Sequence, residues 1–227
     1  MNNHTHQTRI NLKGIAIGNA WIDDITGIRR YCDFATGSSS PECNLFQRQG
    51  DDEIGLLHFI TYMLRYAIYH HQKSGKTASV NGFDSCSDTY VTTYLNLPEV
   101  QRALHAKATK WAFCRGYSWG DRPISVLPTI KQLISSGIRT WIYSGDTDAL
   151  VPVTSTRFAV NKLNLTVNTT WSPWYYSSTE IGGYVVGYDG LTFITIRGAG
   201  HTVPSYQPER ALTMISSFLR GKLPPTS

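Results

Sequence analysis

The sequence predicts an α/β fold whose sheet is covered on both faces, and three observations predict it. Over roughly the last hundred residues, apolar runs of strand length alternate with runs of helical period, in the order strand, helix, strand, helix, strand, helix. Two of those strands end in glycine-containing loops that carry polar side chains, where open α/β sheets bind ligands. With 41% hydrophobic and 12% aromatic residues, the 227-residue chain is too apolar for a disordered segment and long enough to bury a core.

In chain order, residues 10–21 place Ile10, Leu12, Ile15 and Ile17 among polar neighbours and end in Gly18-Asn19, which reads as a buried strand stopped by a turn. A loop-rich stretch follows. Residues 53–72 then set Ile54, Leu57, Ile60, Met63, Leu64, Ala67 and Ile68 at three- and four-residue steps, one face of a helix. Leu97 to Leu104 opens a short helix with Pro98 near its first position. A further helix over 124–136 has Leu127, Ile130, Leu133 and Ile134 on one side and Gly137 as its stop, with Pro128 shifting its start. Ile138 to Tyr143 is a strand broken at Ser144-Gly145-Asp146, and a helix lies near 154–163. Residues 184–197 form a hairpin across Asp189-Gly190, a dipeptide that favours a tight turn with positive φ at both central residues. A last helix starts at Pro208 and points Ala211, Leu212, Ile215, Phe218 and Leu219 inward.

Composition narrows the function classes. The formal charge of +5 comes from scattered basic residues without a run, so neither nucleic acid nor a membrane is an expected partner. No apolar stretch approaches the ~18 residues of a membrane span, and residues 1–9 lack the apolar core of a secretory signal. His4, His6 and the pair His70-His71 have no cysteine or carboxylate at ligand spacing, so no metal and no other cofactor is expected. Cys32, Cys43, Cys86 and Cys114 allow three pairings, of which Cys32 with Cys43 would close a short local loop. The triplets beginning at Asn3, Asn164 and Asn168 fit the N-glycosylation pattern and, with the cysteines, tilt toward an oxidising, secretory route.

Chemistry concentrates in the two strand-end loops, Tyr143 to Pro152 (YSGDTDALVP) and Arg197 to Pro204 (RGAGHTVP). A carboxylate beside an imidazole accepts its N–H, fixes its tautomer and stabilises the imidazolium formed when it takes a proton. Taken singly, an aspartate after a strand is commonly a turn former and a histidine in a glycine-rich loop is commonly structural. The presence of both loops, in the order Asp then His, favours a catalytic reading.

The segments YSGDTDALVPVTSTR and RGAGHTVPSYQPERAL closely resemble the aspartate and histidine loops of plant-type serine carboxypeptidases. INLKGIAIGNAWIDD, DSCSDTYVTTYLNLPEVQRALHA, WYYSSTEIGGYVVGY and the closing helix extend the resemblance over nearly the whole chain. The resemblance implies a partial α/β-hydrolase domain spanning 1–227, with an insertion or cap-like region at about 22–125. It also implies removal of C-terminal residues from peptides, a vacuolar or extracellular location, and Asp148 and His201 as members of a Ser-Asp-His triad. Asp146 becomes a structural loop residue, and Thr202 falls where plant relatives often place a pocket glutamate. Cys32–Cys43 matches a short-range family disulfide, while Cys86 and Cys114 lack their family partners and are left as thiols or paired together.

The family's nucleophile sits on a G-E-S-Y-x-G elbow that this sequence does not contain. Gly116-Tyr117-Ser118-Trp119-Gly120 satisfies G-x-S-x-G, and Ser118, Asp148 and His201 even follow the hydrolase order. A nucleophile elbow, however, needs a strand before it and a helix after it; residues 110–115 make a poor strand, and Pro123 disfavours helix in its predecessor. Ser118 is therefore not the expected nucleophile. The expectation is a chain bearing the base and its anchor without the serine, inactive and aggregation-prone alone, its first strand awaiting a neighbour from an upstream segment or partner chain. Acyl transfer or cyanohydrin cleavage with the same triad, and a non-catalytic fragment or binding module, are the alternatives.

Overall fold

The computed structural model describes residues 10–27, 87–112, 121, 123–148 and 150–226. The expected helix over 53–72, the four cysteines, Ser118, Asn3 and the four histidines weighed as ligands all lie outside those residues. The chain divides into two compact units, residues 77–123 and the remainder.

The larger unit is built on a five-stranded sheet of β1 (Gly14–Gly18), β2 (Arg139–Gly145), β3 (Val167–Tyr175), β4 (Ile181–Tyr188) and β5 (Leu191–Ile196), in the order β1-β2-β5-β4-β3. β1, β2 and β5 run parallel, with Ile17 opposite Ile142 and Ile142 opposite Phe193. β4 and β3 are antiparallel additions on the far side of β5. Among the described residues, β1 is paired on one side only, with β2.

Alternation along the strands divides the core in two. Trp141, Ile194 and Ile196 face one side, where Val203, Ala211, Met214 and Phe218 pack on them; Ile142, Leu191 and Phe193 face the other, against Leu127, Ile130, Ala159, Val160 and Leu163. Both faces are thus covered by helices, as the order of elements predicts. The covering helices are α3 (Leu127–Ser135) and α4 (Val153–Asn161) on one face, α5 (Val203–Tyr206) and α6 (Pro208–Arg220) on the other.

The helix ends follow the expected signals. α3 starts at Leu127 with Pro128 in its first turn, and Gly137, at φ 73, closes it as Ile138 N–H bonds the Leu133 carbonyl at 3.1 Å. α6 starts on Pro208 and ends with Gly221 at φ 69, where Lys222 N–H reaches the Ser217 carbonyl at 3.0 Å. Its inward face differs from the expectation. Leu212 and Leu219 are 66% and 72% exposed, and Met214 is buried in their place beside Ala211 and Phe218. The period alone does not fix the phase of a stripe this broad, and contact with Trp141 (ring centroids 5.4 Å apart from Phe218) sets it.

The hairpin forms as expected, with Tyr188 opposite Leu191, but positive φ occurs at Gly190 alone (φ 76). Asp189 keeps a negative φ, so the turn is not the mirror-image type. β3 is a strand the periodicity did not reveal, because register shifts interrupt its alternation. The first strand is shorter than 10–21, and Ile10 and Leu12 are exposed.

Among the described residues, Trp174 is the largest fully buried side chain. Its ring lies where a Cβ at Gly182 would fall, and its indole N–H donates to the Thr195 carbonyl at 3.1 Å. The Gly182-Gly183 pair thereby clears the space that lets β3 fold over β4.

An ion pair between a buried carboxylate and a partly exposed lysine ties the segment after β1 to α4. Lys162 Nζ lies 3.1 and 3.0 Å from the two Asp23 carboxylate oxygens, and Thr26 N–H donates to Asp23 at 3.0 Å. Burial alone would push the Asp23 carboxyl up; Lys162, the Thr26 amide and the Ser125 hydroxyl outweigh it and hold the group below the usual carboxylate range. A carboxyl depressed on folding stabilises above its unfolded value, and that contribution fades as pH falls through the folded value. Lys162→Met should cost about 1–3 kcal/mol at neutral pH and progressively less at an acid pH, as the loss of the ion pair fades when Asp23 takes up its proton. Urea unfolding at the two pH values checks this; an equal loss at both would contradict it.

In the smaller unit, α1 (Ser87–Leu95) and α2 (Pro98–Ala103) are joined by side-chain bonds. Gln101 donates to the carbonyls of Leu95 and Thr109 at 2.9 and 2.7 Å, and Asn96 and Trp111 exchange bonds of 3.0 and 2.9 Å.

Candidate active site

The parallel strands β1, β2 and β5 release their chains at one end of the sheet, and the polar groups of interest gather there. The loop after β2 and the loop after β5 are laced by backbone bonds. Asp146 N–H donates to the Ile196 carbonyl at 3.1 Å, and the Ala199 carbonyl accepts from Thr147 twice, from N–H at 3.0 Å and from Oγ1 at 2.8 Å. Gly145 makes that approach possible, since a Cβ there would fall onto the Ala199 and Gly200 carbonyl oxygens. Gly198 takes φ 70, and its N–H donates to Asp146 Oδ1 at 2.7 Å. Asp146 is therefore a clasp between the loops. Burial pushes its carboxyl up despite that bond and despite Arg197 and Arg210.

Asp148 and His201, expected to meet, do so: His201 Nδ1 lies 2.9 Å from Asp148 Oδ2. The carboxylate is 1% exposed, yet both of its oxygens have partners of the right kind. Oδ1 accepts the N–H groups of Leu150 and Val151 at 2.8 and 3.1 Å; Oδ2 accepts Asn19 Nδ2 at 2.7 Å as well as the imidazole. Leu150 and Val151 can only donate, and Asn19 also faces the Gly200 carbonyl at 3.3 Å, so its amide must present nitrogen to both acceptors. A carboxylate ringed by donors accepts from the imidazole too, which puts the ring proton on Nδ1 and leaves the Nε2 lone pair free. The His201 side chain is 42% exposed, and with Nδ1 turned to a buried oxygen that exposure falls on the rest of the ring. Among the described residues, the imidazole has no second hydrogen-bonding partner. Such a pair can take a proton from an approaching hydroxyl and return it to a leaving group.

Thr202, next to the histidine, is exposed and stands at the start of α5. Asn164, at φ 52 after α4, and Asn168 on β3 are both exposed. Sequence reasoning missed Asn19. Its one local signal is a polar residue at the tip of a strand in a left-handed conformation, φ 46, which asparagine tolerates better than most residues.

Comparison with known proteins gives the family. The family model described as serine carboxypeptidase matches residues 39–221. Serine carboxypeptidase-like 40 of Arabidopsis thaliana is 42% identical over 258 residues, covering 98% of this chain and 51% of that protein. Serine carboxypeptidase 24 of the same plant is 37% identical over 260 residues, covering 96% of this chain and 56% of its own length. The crystal structure of a prohormone-processing carboxypeptidase from Saccharomyces cerevisiae superposes with a TM-score of 0.58 at 18% identity, over 92% of this chain and 54% of that one. This likeness in architecture makes the sheet and its helices part of an α/β-hydrolase fold. The chain spans about half the length of the curated relatives it matches. By family model and by identity along nearly its entire length, the chain belongs to the serine carboxypeptidase family.

Proposed function

We propose that this chain supplies the general base, His201, and its anchoring carboxylate, Asp148, to a serine-type site that hydrolyses C-terminal peptide bonds. The observation that carries the reading is the 2.9 Å bond from the imidazole Nδ1 to a buried, fully hydrogen-bonded carboxylate at adjacent strand tips. In that role Nε2 removes the proton from a serine hydroxyl as its oxygen adds to the scissile carbonyl. The imidazolium, paired with Asp148, then protonates the departing amine, and water repeats the sequence on the acyl-serine. Peptide C-termini are the substrates under this reading.

No G-E-S-Y-x-G segment occurs in the sequence, and among the described residues no serine hydroxyl bonds the imidazole. Under this reading, a preceding segment or a partner chain brings the nucleophile to His201. The edge of β1 that has no neighbour among the described residues is where such a segment would extend the sheet, since its backbone groups there point away from β2. Without a nucleophile, a triad loses on the order of 10⁴–10⁶ in rate. The purified chain should therefore release no C-terminal residue from a blocked dipeptide above the buffer rate, and a fluorophosphonate should not label it. Release above that rate, or labelling abolished by Ser118→Ala, would overturn the missing-serine reading.

A secretory-route or vacuolar setting accompanies this function, supported by the two exposed acceptor sites. Expressed through a eukaryotic secretory pathway, the protein should carry glycan at Asn164 or Asn168, removed by an endoglycosidase with a shift in gel mobility. An unshifted band would count against that location.

A further inference from the structure

We infer that Asn19 is a positioning residue, whose single amide nitrogen locks the His201 imidazole in its working tautomer and direction by holding Asp148 and the Gly200 carbonyl together. Asn19 follows β1, whereas Asp148 and Gly200 sit on the loops after β2 and β5, so this one side chain spans all three parallel strand tips. Its Nδ2 lies 2.7 Å from Asp148 Oδ2, the same oxygen that receives the imidazole, and 3.3 Å from the carbonyl of the residue just before His201.

Both contacts are needed for the geometry. A carboxylate held only by the amides of Leu150 and Val151 is fixed at Oδ1 and free to swing Oδ2 about that end. The Asn19 donor fixes the second oxygen, and with it the line along which His201 Nδ1–H must point. The bond to Gly200 fixes the backbone that carries the ring. Asn19 is itself buried, and its backbone is held by donation of its N–H to the Tyr143 carbonyl at 3.0 Å, so the clamp is rigid at its root. The backbone conformation suits this role, because φ 46 turns the side chain back over the sheet end, where an extended residue would carry it onward.

The role of Asn19 rests on reading Asp148 and His201 as anchor and base. Its test uses the chain alone, without substrate or nucleophile, so it can fail while that reading stands, and the reverse. Heteronuclear NMR of the isotope-labelled chain reads the His201 ring nitrogens and the exchange of its Nδ1 proton, with His201→Gln giving the signal assignment. Wild type should show the Nδ1–H tautomer and a slowly exchanging low-field proton. Asn19→Gly, which suits the positive φ, should lose that slow proton and raise the minor Nε2–H tautomer several-fold. Asn19→Ser, with one donor for two acceptors, should fall between. A glycine variant that folds and keeps the wild-type ring signature would overturn the inference. If neither variant folds, wild type still tests it: the Asn19 side-chain amide protons should exchange roughly tenfold more slowly than those of exposed asparagines. Equal exchange rates would overturn the inference.

Discussion

Asp148→Asn should destabilise the chain by about 2–3 kcal/mol and, wherever the site is joined to its serine, lower kcat by roughly 10⁴. The stability loss follows from counting donors. Four N–H groups converge on the two oxygens of Asp148, and an asparagine offers one oxygen to them while turning an NH₂ toward the rest. If the oxygen stays with Leu150 and Val151, the Asn19 amide keeps the Gly200 carbonyl but its other N–H faces an NH₂ group in a buried setting. If it turns toward Asn19, two backbone amides are orphaned. The rate loss has a separate origin: facing an NH₂ group, His201 accepts at Nδ1, moves its proton to Nε2, and can no longer act as a base there. Urea unfolding measures the first effect, and the ring-nitrogen NMR signals measure the tautomer change without substrate. A variant as stable as wild type with the proton still on Nδ1 would show that Asp148 does not hold the imidazole.

Trp174→Ala should cost about 3–5 kcal/mol, the largest loss expected from any single core truncation here. The indole is wholly buried among Val185, Ile194 and Ile196, and the glycines opposite it have no side chains to collapse into the space. The Thr195 carbonyl also loses its indole donor. Trp174→Phe keeps most of the ring and should lose markedly less. Equilibrium unfolding of both variants separates the cavity from the hydrogen bond, and an alanine variant within about 1 kcal/mol of wild type would contradict this account of the β3–β4 packing.

Much of the architecture was legible because it is written locally. Pro128 and Gly137 bound one helix, Pro208 opens another, and near-continuous buried runs mark β2 and β5. The Asp and His loops stood out because each pairs glycine with a proton-handling side chain after a strong strand. What escaped depends on contacts made across the fold. β3 hides behind its bulges, and the exposure of Leu212 and Leu219 is set by which residues of the sheet α6 meets. Asn19 could not be read as part of the site because both its partners are remote in sequence. The turn at Asp189-Gly190 shows the same limit at short range, since one positive φ suffices there.

The distances along the chain carry a consequence for biogenesis. Asn19 precedes Asp148 by 129 residues and Gly200 by 181, and Asp148 precedes His201 by 53. Three groups so far apart in sequence meet only when β1, β2 and β5 are paired, so the couple forms with the sheet and not before it. Until the three strand tips are aligned, the imidazole lacks the carboxylate that directs its proton to Nδ1. The orientation of this one ring is in that sense a readout of completed sheet assembly.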